Sequence, residues 1–150
     1  MPFAAKDLIP APAAALIFGV FGAPARAWEF SPSPICTLSH VEASAGVTVT
    51  YDHATALYAI AVTRAGGWPD APVFSMSFEG VRPNTISTPN HQTAGDTLTV
   101  SDTGFGNVLN GLEFNSSATA FTDTAAASVS LEGAADPVRQ FRACSEAPIA

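Results

Sequence analysis

The period of the hydrophobic pattern changes once, abruptly, within residues 97–115, and that change sets the architecture. Thr97, Leu98, Thr99 and Val100 alternate apolar with polar, the spacing of a strand that buries one face. Phe105, Val108, Leu109 and Leu112 then fall at i, i+3, i+4 and i+7, a single helical stripe. An extended segment therefore hands over to a helix at Asp102-Thr103-Gly104, where Asp102 or Thr103 can cap the first turn through a side-chain oxygen. Gly111 can end that helix as its C′ residue, leaving about two turns from Gly104 to Asn110. Packed over a sheet, the four apolar residues form a plug.

Upstream, the chain reads as strands. Residues 46–51 place Val47, Val49 and Tyr51 on one face, residues 57–64 alternate throughout, and residues 73–79 place Phe74, Met76 and Phe78 together. Asp52-His53-Ala54-Thr55, Gly66-Gly67-Trp68-Pro69-Asp70 and the stretch from Gly80 to Pro83 separate them with turn chemistry. Residues 84–91 read as one further strand, at an edge because Pro89 cannot donate to a ladder. Downstream, residues 118–122 and 126–131 return to extended form, and Asp136-Pro137 opens a C-terminal helix with an Asp cap and Pro at N1. The fold class is mainly β, a β-sandwich or a curled antiparallel sheet, with one short internal helix and one C-terminal helix.

The N-terminus has a different character. A cationic start, an apolar run from Ala13 to Ala23 and the small-x-small ending Ala25-Arg26-Ala27 form a secretory signal over residues 1–27, cleaved between Ala27 and Trp28. The run is about half the ~20 apolar residues that span a bilayer, so no stable membrane anchor is expected after cleavage. Residues 28–150 then form one domain, periplasmic or secreted, with four arginines against twelve acids, no lysine and a formal charge of −8. Such a balance repels phosphate backbones and anionic membranes, so no nucleic acid partner is expected. Trp28 and Phe30 lead in along the rim, ahead of Pro32 and Pro34.

Cys36 and Cys144 are the only cysteines, and in an exported chain an even count implies a bridge with one possible connectivity. It ties the first extended segment to the last helix.

Ordinary catalytic signatures are missing. His40, His53 and His91 lie in separate segments without HxH or HExxH spacing, so they read as surface or turn histidines, and no metal ligands are assigned. There is no GxSxG elbow, and no lysine after residue 27 for a Ser-Lys dyad or Schiff base. Gly104-Phe105-Gly106-Asn107 precedes a helix as an anion cradle would, but Asp102 opposes an anion, and the glycines read first as a tight strand-to-helix turn. No catalytic or cofactor-binding residue is assigned, and no cofactor is expected. Asn115-Ser116-Ser117 matches the N-glycosylation pattern. Trp68 and Phe105 are candidates for partly exposed aromatics, and Arg139 and Arg142 for neutralising the last helix's C-terminal dipole.

These segments resemble a group of small exported alphaproteobacterial proteins of uncharacterised function. The likeness lies in Trp28-Glu29-Phe30 with Pro34-Ile35-Cys36, Thr85-Ile86-Ser87-Thr88 with His91, Leu98-Thr99-Val100-Ser101-Asp102 with Gly104-Phe105-Gly106-Asn107-Val108-Leu109, and Leu131-Glu132-Gly133-Ala134-Ala135 with Phe141-Arg142-Ala143-Cys144. It covers nearly all of residues 28–150. The closing pattern is also similar to invasion-associated locus B type proteins, although a second cysteine pair expected of that type is missing. No catalytic residues follow from either likeness. A DNA-excision-repair nuclease, an activity attached to some sequences of this kind, is not supported, for there is no GxxxxGK[ST] loop and no basic face. Two functions are compatible with the chain: a non-enzymatic domain that binds an envelope protein or a small ligand, or a small hydrolase or ligand-modifying enzyme whose site is assembled only by the fold. A pocket uniting His91 with two acids would favour the enzyme, and a flat surface with an exposed aromatic patch the binding domain.

Overall fold

A computed structural model describes residues 27–148; the expected leader and its final cleavage motif fall largely outside the described residues. Among the described residues, ten strands and two helices make two antiparallel sheets with a shared core. The strands are β1 (Glu29–Ser31), β2 (Cys36–Val41), β3 (Ala45–Asp52), β4 (Leu57–Arg64), β5 (Phe74–Gly80), β6 (Asn84–Thr88), β7 (His91–Ala94), β8 (Thr97–Asp102), β9 (Asn115–Phe121) and β10 (Ala126–Ser130). Helix α1 (Gly106–Phe114) joins β8 to β9, and α2 (Ala135–Glu146) closes the chain. One sheet has the order β1-β2-β3-β4-β8-β7 and the other β10-β9-β5-β6, so the fold is a mainly β sandwich rather than one curled sheet.

Alternation dictates the two inner faces. Leu38, Val49, Ile60, Val100 and His91 align across five strands of the larger sheet, and His40, Val47, Val62, Leu98 and Thr93 form the next row. In the smaller sheet, large residues on β5 sit beside small ones on β9: Phe78 opposite Ala118, and Met76 opposite Ala120. That pairing leaves room for α1. Gly111 lies inside α1 rather than beyond its end, because the helix packs so closely on β5 that a Cβ there would overlap the Phe78 ring. Phe105, Val108, Leu109 and Leu112 are all buried, the expected plug.

Both caps differ from expectation. Asp102 Oδ1 accepts from the Thr103 N–H (2.6 Å), a contact one residue away, and α1 starts after Phe105 with no side-chain cap. Helix α2 begins two residues earlier than its Asp-Pro pair implies, with Ala134 at the N-cap and Asp136 within the first turn. The segment 84–91 is two strands in different sheets. Pro89-Asn90 carries the chain across, and the Asn90 N–H bonds to Thr88 Oγ1 (3.0 Å).

Cys36 and Cys144 are bridged, with Cα atoms 6.0 Å apart at a sequence separation of 108. The bridge holds α2 on β2. Helix α2 is also tied to α1, for Glu113 pairs with Arg142 Nε (3.1 Å) and Arg139 (3.5 Å), while Arg142 donates to Asn110 Oδ1 (2.7 Å). These arginines join two helices rather than neutralising a helix C-terminus. Among the described residues no helix is long and apolar enough to cross a membrane.

Candidate functional site: a cleft between the sheets

One side of the sandwich is closed by polar contacts. Arg64 Nε donates to the Ala126 carbonyl (2.9 Å), Glu42 accepts from the Ser130 N–H (2.7 Å), and the Trp28 indole N–H donates to the Ser130 carbonyl (2.9 Å). His40 completes this seam. It is buried, stacked on Trp28 at 4.6 Å with an 8° interplanar angle, and bonded through Nε2 to Glu42 (2.8 Å). Neither Trp28 on the rim nor His40 at the surface is what the structure shows. Pairing with Glu42 satisfies Nε2 and the ring packs on Trp28, while Nδ1 is buried without a hydrogen-bond partner among the described residues. Trp68 and Phe105 are buried as well; the Trp68 N–H bonds to the Val62 carbonyl (3.0 Å), and Phe105 stacks on Tyr58 at 5.4 Å.

The opposite side stays open. There β6, β8 and the start of α1 line a cleft of about 600 Å³, a size usual for small-molecule sites. Its floor is apolar, formed by Ile60, Phe74, Met76, Ile86, Val100 and Val108. Polar groups gather at the mouth: Ser87 and Thr88 from β6, Asn90 from the crossing that follows it, Ser101 and Asp102 from β8, and Asn107 from α1. The change of period at residues 102–106 builds this wall, because the strand must end for the helix to turn inward over the core. Asn107 thus faces the cleft from the very turn that carries the plug.

The cleft contains one carboxylate, Asp102, and no imidazole, thiol or cation. Ser87 Oγ bonds to Ser75 Oγ (2.7 Å), and Thr88 Oγ1 accepts from Asn90, so these hydroxyls are committed to structural bonds. His91 stands apart from the lining. Its ring packs on Phe74 at 6.2 Å, and its Nδ1 is buried without a hydrogen-bond partner among the described residues. His53 sits edge-on to Tyr51 at 4.8 Å. Among the described residues no group of three or more His, Cys, Asp or Glu is placed to hold a metal ion.

Asn115 of the glycosylation pattern is engaged at both ends of its amide, accepting from the Arg82 N–H (2.9 Å) and donating to the Gly111 carbonyl (3.0 Å). A second groove of about 620 Å³, lined by Phe30, Pro32, His53, Gln140, Ala143, Cys144, Ala147 and Pro148, is more open and mostly apolar, and it borders the last described residue. Ala27 is exposed and Trp28 buried, so the expected cleavage junction lies at the edge of the folded unit.

Sequence reasoning located the strand-to-helix turn at residues 102–107 but read it as packing with no ligand role for Asn107, and it missed the wall formed by β6. Its signal is slight: Ile86 is the one apolar residue in a strand otherwise of Asn, Thr and Ser.

No family model matches this chain, and neither a curated protein nor a solved structure is detectably similar to it.

Proposed function

We propose that residues 28–150 are an exported, non-enzymatic binding domain, periplasmic or secreted, whose site is the cleft between β6, β8 and the start of α1. The observation that carries the reading is the composition of that cleft: an apolar floor beneath a rim of amides, hydroxyls and one carboxylate. Such a surface recognises a ligand with an apolar body and a neutral or cationic polar end, and Asp102 disfavours an anion. Hydrolytic chemistry finds less support, because Ser87 Oγ bonds to Ser75, Thr88 Oγ1 accepts from Asn90, no hydroxyl of the cleft is hydrogen-bonded to its one carboxylate, Asp102, and His91 is not joined there by two acids. The Cys36–Cys144 bridge is compatible with an oxidising, exported location. Kinship with the small exported alphaproteobacterial proteins belongs to the same proposal and rests on the shared motifs alone.

Asn107→Ala tests the site. It removes one rim amide without hollowing the core, so binding of a neutral amphipathic ligand found by screening should weaken while the melting temperature stays unchanged. An unaltered affinity in Asn107→Ala, and also in Asp102→Asn, would remove the cleft from consideration.

A further inference from the structure

We propose that the free edge of β6 accepts an extended polypeptide segment as an added strand, with one of its side chains entering the cleft. This rests on the cleft being the binding site and names the class of partner it takes.

The two sheets have four edges, and they are treated differently. At β10, Arg64 holds the Ala126 carbonyl, and Glu42 and Trp28 hold the N–H and carbonyl of Ser130. Strand β1 packs against α2. Strand β7 is four residues long, and none of them lines the cleft. Strand β6 pairs only with β5, and no other described residue bonds to its main chain. Asn84, Thr85 and Ser87 are exposed, and the strand has no charge, proline or bulge of the kind that blocks edge pairing.

An unpaired row of N–H and C=O groups is matched by another main chain in register, and main-chain bonds supply affinity in such complexes while alternate side-chain pockets supply specificity. Pro83 and Pro89 bracket β6, so the slot is five residues long. Asn84, Ile86 and Thr88 are the cross-strand partners of Phe78, Met76 and Phe74, and so share the inner face. The residue of an added strand that sits opposite Ile86 projects onto the floor of Phe74, Met76 and Val100. An apolar side chain fits there. Asp102 is the only charge in the cleft, and Arg64, Arg82, Arg139 and Arg142 are all engaged elsewhere, so an acidic segment is disfavoured. The partner is a non-acidic extended peptide segment with an apolar residue at its centre.

The test uses isotope-labelled residues 28–150 with the disulfide intact, and seven-residue acetylated amides of alternating threonine and valine whose central position is varied among valine, leucine, phenylalanine, serine and aspartate. The tightest binder is then remade in two forms, N-methylated at odd or at even residues. Strand addition predicts shifts in the β6 amides, preference for an apolar centre, and a loss of about tenfold or more for only one of the two methylated forms. Ile86→Lys, an inward-pointing charge on the edge, should abolish binding. If that variant fails to fold, the dependence on methylation parity still decides. Equal binding by both methylated forms overturns strand addition but leaves the cleft as the site. Neutral small molecules shifting the cleft resonances with no peptide bound has the same meaning. A parent that is dimeric through β6, made monomeric by Ile86→Lys and indifferent to every peptide, would assign the edge to a second copy and overturn the proposal. No response of the cleft to peptides or small molecules refutes both readings.

Discussion

Gly111 and Leu109 sit two residues apart in α1 and serve the packing in opposite ways. Leu109 fills space, and Gly111 keeps space free for the Phe78 ring. Leu109→Ala should cost about 2–5 kcal/mol in urea unfolding, the range for a buried leucine whose cavity does not fully collapse. Gly111→Ala, ordinarily favourable within a helix, should instead destabilise by about 1–3 kcal/mol, because the helix and β5 must move apart to admit the methyl group. A stabilised Gly111→Ala variant would show that α1 does not lie this close to the sheet. Local periodicity made the stripe of Phe105, Val108, Leu109 and Leu112 legible in advance. Gly111 reads as a stop signal because nothing local distinguishes a C′ glycine from one that admits a ring from another strand. His40, Trp28 and Trp68 share that difficulty: their burial depends on Glu42, Ser130 and Val62, partners that the order of residues does not reveal.

Among the elements, strands were legible where one face is apolar, as in β3, β4, β5 and β8. The segment 84–91 was not, because its alternation continues past the point where the chain leaves one sheet for the other at Pro89-Asn90. Consequently β6 was missed as a cleft wall. The bridge from β2 to α2 was legible from cysteine count and expected compartment, and it closes a loop spanning 108 residues of sequence separation. Chain-entropy reasoning gives that closure about 4–5 kcal/mol. Replacing Cys36 and Cys144 together with alanine should lower the thermal midpoint, while the far-ultraviolet spectrum and the α1–β5 contacts persist. A variant that melts with the parent would mean that the reduced ensemble is already held compact by other contacts.

For the molecule as a whole, the balance of charge and contact leaves one side of the sandwich sealed and the other receptive. With Arg64 at β10, Arg82 over the Phe114 ring at 4.4 Å, and Arg139 and Arg142 on Glu113, the described arginines are spent on internal contacts. Export is a separate expectation: the intact mass of material from the periplasm or medium should correspond to a chain beginning at Trp28, and a species retaining Met1 there would contradict it.

The proposed cleft site is tested most directly by amide chemical-shift mapping of labelled residues 28–150 during titration with a neutral amphipathic fragment set. Perturbations concentrated at Ile86, Ser87, Asn90, Val100, Asp102 and Asn107, and lost in Asn107→Ala at an unchanged melting temperature, are the predicted result. Saturable binding whose shifts lie instead along the second groove at Phe30, Gln140 and Ala143, with the cleft silent, would contradict it.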